Sequence, residues 1–451
     1  MTKTNHSGTI GFTTAIAIVV ANMVGAGVFT SLGYQAAGIQ SIFPLIMLWI
    51  IGGVVALSGA LSYGELAALF PRSGGEYNYL SKIYHPGFGF LSGWVSATVG
   101  FSAPVALAAM ALGRYTNSVL PMVSAEAVGL TVVLIITAIH AYDIGAGSIF
   151  QRYSTAIKVL LIVGFIGGGF FLTATPQPIS ILPKDGDFTL IFSGAFAVNL
   201  AFVSFAYSGW NASAYLANEI ENPQRNVPLS LVSGTLLVMA AYILLNYVFL
   251  YTVPVQTLAA EQAKDFNTPL EVGYLSANVF LGEVGGKVMG LMIALLLVSS
   301  ISAMIFAGPR VTQVMGEDLP LLGRLAFKNS KGIPFYAILM QSTISVILIL
   351  TASFDAILFS IAFTLDIFTF STVLGVFVMR AREPKAHRTY KTWGYPITPM
   401  IFLAATGWTM YFLLTQRTKE SLIALSLVVM GLIVYFADKS YNKSKQKQAK
   451  V

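Results

Sequence analysis

The chain contains no cysteine and few charged residues. Without cysteine among 451 residues, structural disulfides, thiolate metal sites and disulfide-linked subunits are excluded. Asp, Glu, Lys and Arg make up only 10% of the sequence, whereas a soluble domain carries about 25%. Hydrophobic residues reach 56% and recur in runs long enough to span a lipid bilayer. The sequence therefore predicts a polytopic membrane protein.

Motifs for cofactor-dependent or ATP-driven chemistry are also absent. The histidines His6, His85, His140 and His387 are isolated, without H-E-x-x-H, and G-x-S-G does not occur. No G-x-x-x-x-G-K-[ST] phosphate loop is present. We therefore expect neither an enzyme nor an ATP-driven pump, and no metal or cofactor. Nothing indicates the ring of charges or carbonyls that a channel needs.

Apolar segments of about 20 residues define the predicted spans. They lie near 10–33, 42–67, 87–113, 125–143, 153–174, 189–217, 228–251, 285–306, 335–353, 356–379, 397–415 and 420–437. Helices satisfy their own backbone inside hydrocarbon, and the alternation typical of barrel strands is not seen. The predicted fold class is all-α.

The distribution of Lys and Arg predicts the orientation. Basic residues exceed acidic ones, 26 against 19, which in a soluble protein would suggest nucleic acid as a partner. Here most basic residues fall in the loops on the side of both termini, and the positive-inside rule places that side in the cytoplasm. Residues 438–451 are expected to form a disordered, basic cytoplasmic tail, and no nucleic-acid partner is predicted.

Small residues interrupt the first predicted span. Gly25-Ala26-Gly27 would let the helix unwind, and Asn22 adds a polar side chain one turn earlier. Because this span runs outward, its second half would begin near Gly27 with unpaired N–H groups and a positive dipole end, a seat for a carboxylate. The alternative is a close-packed helix interface, which small residues also permit.

A second interruption lies in the sixth span. The stretch 188–222 would make a rod of about 50 Å at about 1.5 Å per residue, longer than a bilayer core of about 30 Å. A break is expected within Phe205-Ala206-Tyr207-Ser208-Gly209-Trp210-Asn211. The first half would end near Tyr207, where carbonyls and the negative dipole end suit an ammonium. The two breaks together fit a zwitterion, and an amino acid is the simplest such ligand.

Longer motifs accompany the breaks. They are Gly25-Ala26-Gly27-Val28-Phe29, Gly64-Glu65-Leu66, Phe70-Pro71-Arg72-Ser73-Gly74-Gly75-Glu76-Tyr77 and Glu219-Ile220-Glu221-Asn222-Pro223-Gln224-Arg225-Asn226-Val227-Pro228. With these motifs the chain resembles the amino acid–polyamine–organocation (APC) superfamily, nearest to its L-type amino acid transporter branch and bacterial relatives. The resemblance implies a transmembrane permease domain over 1–437. Two inverted five-helix repeats, about 10–174 and 189–379, would begin with discontinuous helices 1 and 6, and two additional helices would occupy about 397–437.

The resemblance also implies where substrate binds. Backbone N–H groups of Gly25, Ala26 and Gly27 would bind the carboxylate. Carbonyls near Ala21 and Phe205 would take the amino group. Replacing Gly27 with Val is then expected to abolish binding while leaving the fold intact.

The same resemblance assigns the walls of the pocket. Phe205 would be a gating aromatic, and Ser208, Trp210 and Asn211 would shape the cavity. Two residues depart from the family pattern, since many relatives have Ser at the position of Ala26 and L-type relatives often have Gly at that of Ser208. The larger residue at 208 would narrow the pocket and favour smaller substrates.

Lys158 lies inside the fifth predicted span. Judged from the sequence alone, it is close enough to the interface to snorkel. In relatives, however, a lysine at this position replaces a sodium ion and bonds to the unwound part of the first span. The resemblance therefore implies an ammonium near Gly25 and the serines Ser299, Ser300 and Ser302, and transport without sodium. A role in carrying a coupling proton is left open.

Asp366 is an acid deep in the tenth predicted span, and intramembrane acids are functional candidates. It would either exchange protons or accept hydrogen bonds from neighbouring helices, and the two interpretations stay open. His140 and Asp143 are expected to be interfacial, at the cytoplasmic end of span four. Three further charges are expected at the cytoplasmic edge, as an inner-gate network or as topology markers: Glu65, Arg72 and Glu76.

The predicted function is sodium-independent secondary transport of amino acids by alternating access, as an exchanger or a proton symporter. Neither break contains an acidic side chain, so neutral L-amino acids are favoured over cationic amino acids or polyamines. The alternative from another class is an amino acid sensor that does not transport. The absence of cysteine argues against the disulfide-linked heavy chain known from animal L-type relatives and, with the compact termini, favours the bacterial inner membrane.

Overall fold

The structure is a computed structural model that describes the backbone of residues 10–142 and 144–448 and the side chains of 10–142 and 155–441. All regular elements in this part of the chain are helices, and one isolated bridge pairs Ile10 with Ile220. The predicted all-α fold is confirmed. Asp143, expected at the membrane interface, lies outside the described residues.

The helices follow one another in a simple order. The first half contains α1 Phe12–Met23, α2 Gly27–Gly38, α3 Ile42–Leu69, α4 Glu76–Ile83, α5 Pro86–Val95, α6 Ser102–Val119, α7 Ala125–Tyr142, α8 Ile144–Leu172 and α9 Asp187–Ile191. The second half contains α10 Gly194–Tyr207, α11 Ala212–Tyr215, α12 Pro223–Thr252, α13 Val255–Lys264, α14 Val272–Asp318, α15 Phe335–Thr351, α16 Phe354–Arg382, α17 Ile397–Gln416 and α18 Thr418–Gln448.

The helices confirm a polytopic membrane protein. Within the described residues, ten helical segments are long and apolar enough to cross a membrane, while α10 and α15 are shorter apolar helices. All of them coincide with predicted spans. The eighth span is longer than expected at both ends. It was expected at 285–306, whereas α14 covers Val272–Asp318, with a kink at Gly282 where φ is +70°. With a ψ of 179° this conformation is essentially restricted to glycine, so two helices meet at this residue.

The first span lies at the centre of the molecule and the last at its edge. In the most apolar part of each span, 72% of the residues from Phe12–Gly38 are buried, against 17% of those from Thr418–Tyr441. A central span exposes little of its surface to lipid, so its polar and small residues are free to face other helices and a cavity.

Both expected breaks occur where the sequence predicts them. Helix α1 ends at Met23, Val24 is extended, and α2 begins at Gly27. Helix α10 ends at Tyr207, and Gly209 lies just beyond it with φ +95°, a conformation that favours glycine. The discontinuous first and sixth spans of the predicted fold are therefore present, whereas the bounds of the two repeats stay a prediction.

Glu65 holds the end of α3 to α16 and to the loop after it. Its carboxylate accepts hydrogen bonds from Arg380 Nε and Nη2 at 3.0 and 2.7 Å and from the Thr392 backbone N–H at 2.7 Å. Arg388 Nε lies 3.0 Å from the same carboxylate. Only 2% of the Glu65 side chain is exposed, so this is a buried, multiply bonded ion cluster.

Arg72 and Glu76, which were expected to share a network with Glu65, have separate partners. Arg72 lies 3.5 Å from Asp318, which also accepts a 2.6 Å hydrogen bond from Tyr77. Glu76 instead turns inward and bonds to Asn211, just after the sixth-span break. We call the end of the molecule that carries Glu65, Arg72 and their partners the basic face.

The C-terminal segment is helical instead of disordered. The backbone of α18 stays helical to Gln448, beyond the predicted end of the permease domain at 437. Asp438, near this boundary, accepts a hydrogen bond from the Leu321 backbone N–H at 2.9 Å. A contact between segments far apart in sequence gives the helix an anchor that composition alone does not reveal.

We expect Glu65→Gln to destabilise the protein by about 3–5 kcal/mol, because losing one member of a buried ion cluster leaves the arginines uncompensated. Arg72→Gln is the control. Its ion pair with Asp318 is exposed, with side-chain exposures of 53% and 36%, and such a pair contributes about 0–1 kcal/mol. Thermal unfolding of the detergent-purified variants measures both effects. Equal losses of stability would show that the Glu65 cluster contributes no more than the exposed ion pair.

Candidate functional site

A cavity lies between the two breaks, α16 and the junction of α5 with α6. Its empty volume is about 1110 Å³, including its mouth. Four residues predicted to bind substrate line it: Phe205, Ser208, Trp210 and Asn211. Asn22, from the last turn of α1, also lines it, whereas Ala21, Gly25, Ala26 and Gly27 do not. The cavity is therefore walled by the sixth span more than by the first break.

The two breaks touch each other directly. A Cβ added to Gly27 would lie 2.6 Å from Ala206 Cα, and one on Gly209 would lie 2.9 Å from the backbone of Asn22. These distances are too short for any side chain. The glycines are therefore needed for close packing, the alternative considered for the first break, as well as for its unwinding.

Gly25 has a more open environment. A Cβ there would meet nothing closer than Met23 O and Ser300 Oγ, both at 3.9 Å. Among the described residues, the amides of Gly25 and Ala26 donate to no backbone carbonyl, and the Gly25 amide interacts with the Tyr242 hydroxyl. These are the N–H groups predicted to bind a carboxylate.

Carbonyls of the first break are satisfied by a buried lysine. Lys158 Nζ donates to Val24 O at 2.9 Å, to Ala21 O at 3.3 Å and to Ser300 Oγ at 2.8 Å. Its side chain is 0% exposed, so it does not snorkel. The ammonium occupies the position that the family resemblance implies, next to the unwound segment.

The carbonyls predicted for the substrate's amino group already have protein donors. Ala21 O accepts from Lys158, and Phe205 O accepts from the Ser208 backbone N–H at 3.0 Å. A carbonyl oxygen has two lone pairs, so each retains one for another donor.

The three serines of α14 do not form one cluster. Ser300 bonds to Lys158, and Ser299 Oγ is buried without a hydrogen-bond partner. Ser302 Oγ lies 2.8 Å from His140 Nε2. The side chain of His140 is only 4% exposed and packs into the helix bundle, while its interfacial depth stays a prediction.

Asp366 lies on the cavity wall, on the face of α16 that also presents Leu365 and Thr369. Its Oδ2 atom is buried and has no hydrogen-bond partner. No described residue donates a hydrogen bond to its carboxyl group. The alternative in which this acid accepts hydrogen bonds from neighbouring helices is therefore wrong.

Glu76 is a cavity residue that sequence analysis placed at the cytoplasmic edge. Its carboxylate accepts hydrogen bonds from Tyr63 at 2.8 Å, from Asn211 at 2.7 Å and from the Tyr215 hydroxyl. The positive φ of Gly75, +51°, turns the chain here. The glycine pair before Glu76 is the only signal of this turn in the sequence, and it does not reveal the direction in which the side chain points.

The third span contributes a feature that the sequence does not predict. Between α5 and α6 the chain forms a π-helical turn, Ser96–Gly100, and Ser96, Gly100 and Phe101 line the cavity. Such turns occur often at functional sites. Hydrophobic periodicity continues through them, so the pattern of the sequence gives no sign of the extra residue.

The two ends of the central region differ. Toward the basic face, Tyr215 lines both this cavity and a second, more polar one that contains Glu219 and Arg310. Toward the other end, Tyr34 stacks on Phe202 at 5.0 Å and on Phe354 at 6.0 Å between ring centroids. Tyr215 thus lies between the two cavities, and the three aromatic rings pack on one another without lining either cavity.

Comparison with known proteins identifies relatives along almost the whole chain. A family model described as amino acid permease matches residues 10–434. The serine/threonine exchanger SteT of Bacillus subtilis is 26% identical over 444 residues, covering 96% of this chain and 98% of the relative. The human b(0,+)-type amino acid transporter 1 is 26% identical, covering 95% and 87%. The mouse large neutral amino acids transporter small subunit 2 is 25% identical, covering 95% and 80%.

We expect Gly27→Ala to destabilise the protein by about 1–3 kcal/mol, the usual effect of overpacking, because its new methyl group meets the Ala206 backbone. This corrects the expectation that a larger residue at 27 leaves the fold intact. Gly25→Ala is the matched control, with no contact closer than 3.9 Å. Thermal unfolding in detergent compares the two, and an unaffected Gly27→Ala variant would contradict the close packing of the breaks.

Proposed function

Since the chain belongs to the amino acid permease family, we propose that it is a sodium-independent secondary transporter that moves amino acids across the membrane by alternating access. The observation that carries the proposal is the pair of broken spans beside one cavity. Their helix ends have opposite polarity, and this polarity matches the two charged groups that every amino acid shares.

The carboxylate seat is proposed at the first break. The N-terminus of α2 begins at Gly27, and the amides of Gly25 and Ala26 have no backbone acceptor among the described residues. Because Gly27 packs on Ala206, substrate is expected to approach from the Gly25 side. The amino group is proposed to bind at the C-terminus of α10, which ends at Tyr207. The free lone pairs of Ala21 O and Phe205 O would accept its hydrogen bonds.

Sodium independence is proposed from the position of Lys158. Its ammonium binds carbonyls of the unwound segment and the hydroxyl of Ser300. Backbone carbonyls and serine hydroxyls are oxygen ligands of the type that hard cations prefer. An ammonium in this place satisfies them without a bound ion, so no sodium ion is expected to accompany the substrate.

Alternating access is supported by the asymmetry of the cavity. A second, more polar cavity adjoins it at Tyr215 on the side of the basic face, and aromatic rings pack together in the other half of the molecule, which suits a conformation open to one side. The positive-inside argument assigns the basic face, with both termini, to the cytoplasm. Exchange is favoured over proton symport because one relative is named an exchanger.

The neutral side-chain preference stays a prediction, but its premise has changed. It rested on the absence of an acidic side chain within either break, whereas Glu76 and Asp366, from other helices, both line the cavity. The chain is further proposed to work without a disulfide-linked subunit, since it has no cysteine, and in a bacterial inner membrane. A sensor that binds amino acids without moving them is the outcome that transport measurements would distinguish.

Uptake of labelled amino acids into proteoliposomes tests the proposal. We expect uptake to be the same in sodium and potassium buffers and to rise when unlabelled amino acid is present inside. Uptake that instead depends on an inward proton gradient would replace exchange by symport. Binding without uptake under every condition would support a sensor, and a requirement for sodium would overturn the role given to Lys158.

We expect Lys158→Met to lower transport by about tenfold or more, because hydrogen bonds to a charged group contribute about 1.5–3 kcal/mol each. Methionine keeps most of the apolar stem but leaves the carbonyls of the first break without their donor. Lys287→Met is the control, as that lysine is exposed and pairs only with Glu283 at 2.6 Å. Unchanged transport by Lys158→Met would show that the break holds its shape without the ammonium.

A further inference from the structure

Asp366 is an acid without a partner on the wall of the proposed substrate cavity. Its Oδ2 is buried and unbonded, although its own backbone carbonyl accepts a hydrogen bond from the Thr369 hydroxyl at 3.4 Å. Removing a carboxylate from water without a hydrogen bond or a countercharge is costly. Such a group takes up a proton when it is left alone and is stabilised as the carboxylate when a cation comes to it.

The cavity supplies no cation of its own. No Lys, Arg or His is among the described residues that line it. Glu76 is the second carboxylate there, but Tyr63, Asn211 and Tyr215 already donate to its oxygens. Asp366 is thus the lining carboxyl group that is free to bind something new.

The walls around Asp366 suit a flexible apolar chain that ends in a positive charge. Leu365 and Ala362 extend the same face of α16, and Phe101, Trp210 and Phe402 line the cavity. Aliphatic and aromatic surfaces pack against methylene groups, as they do with the stems of lysine side chains in proteins. Aromatic faces also attract cations directly.

We propose that Asp366 recognises the substrate's side chain by binding a cationic group at its end, so that basic amino acids such as lysine are substrates. This inference rests on the proposed amino acid transport, in which the two breaks hold the α-carboxylate and the α-amino group. The charge on α16 then selects among amino acids by the group that ends the side chain. This preference for basic amino acids replaces the preference for neutral ones that the sequence favoured.

Lysine and norleucine form a matched ligand pair for the test. They share the α-groups and the length of the carbon chain, and norleucine lacks only the terminal ammonium. A ligand that binds the folded state raises its thermal stability in proportion to the logarithm of its concentration. The concentration dependence of the unfolding temperature of the full-length, detergent-purified protein therefore gives an apparent affinity for each, without any labelled substrate.

In the wild-type protein we expect lysine to bind about tenfold or more tightly than norleucine, in line with a charge-assisted hydrogen bond. Asp366→Asn should remove this difference by weakening lysine alone. Asp355→Asn is the matched control, since Asp355 lies on the same helix but bonds to Ser353 at 2.7 Å and does not line the cavity. It should keep the preference for lysine.

The outcomes separate this inference from the proposed function. If neutral amino acids stabilise the wild-type protein and lysine binds no better than norleucine, the role of Asp366 is wrong while amino acid binding stands. Equal weakening of both ligands by Asp366→Asn also overturns it. If no amino acid stabilises the wild-type protein or enters proteoliposomes, the proposed function fails together with the inference. The wild-type comparison can overturn the inference even if Asp366→Asn does not fold.

Discussion

The ammonium of Lys158 is the contact on which the centre of the molecule depends. Breaking a helix inside hydrocarbon exposes carbonyl groups that cost several kcal/mol each if nothing donates to them. Lys158 donates to Ala21 and Val24 at 3.3 and 2.9 Å, and Tyr242 donates to Met23 O at 2.6 Å. Side chains from α8 and α12 thereby replace the missing helical bonds. The break persists because neighbouring spans complete its backbone.

A second constraint is the contact between the breaks. Gly27 against Ala206, and Gly209 against Asn22, bring the first and sixth spans together with no side chain between them. Backbone polarity from both spans is therefore concentrated beside one cavity. Larger side chains next to these contacts, Trp210 among them, form its wall. The small residues thus determine how closely the two spans approach, and the larger side chains determine the chemistry of the cavity wall.

Local signals in the sequence were sufficient for the fold and for both breaks. Apolar length predicts the spans, small residues predict the break before Gly27, and the excess length of the sixth span predicts a helix end near Tyr207, where the structure has them. Features set by distant contacts could not be predicted. The side chain of Glu76 points inward because Asn211 and Tyr215 bind it. His140 is buried against Ser302. Asp366 lacks a partner because, among the described residues, no donor lies opposite it. Those facts exist only once the helices are packed.

The hydrogen bonds of Glu76 have a mechanical consequence. This residue begins α4, yet its carboxylate is bound by Asn211 and Tyr215, at the two ends of α11 after the second break, and by Tyr63 of α3. A rotation of the part of the sixth span that follows the break must either break these bonds or pull α4 along with it. Helix α4, between the second and third spans, is thus coupled by hydrogen bonds to the sixth span. A rearrangement beside the cavity would therefore move the whole of α4.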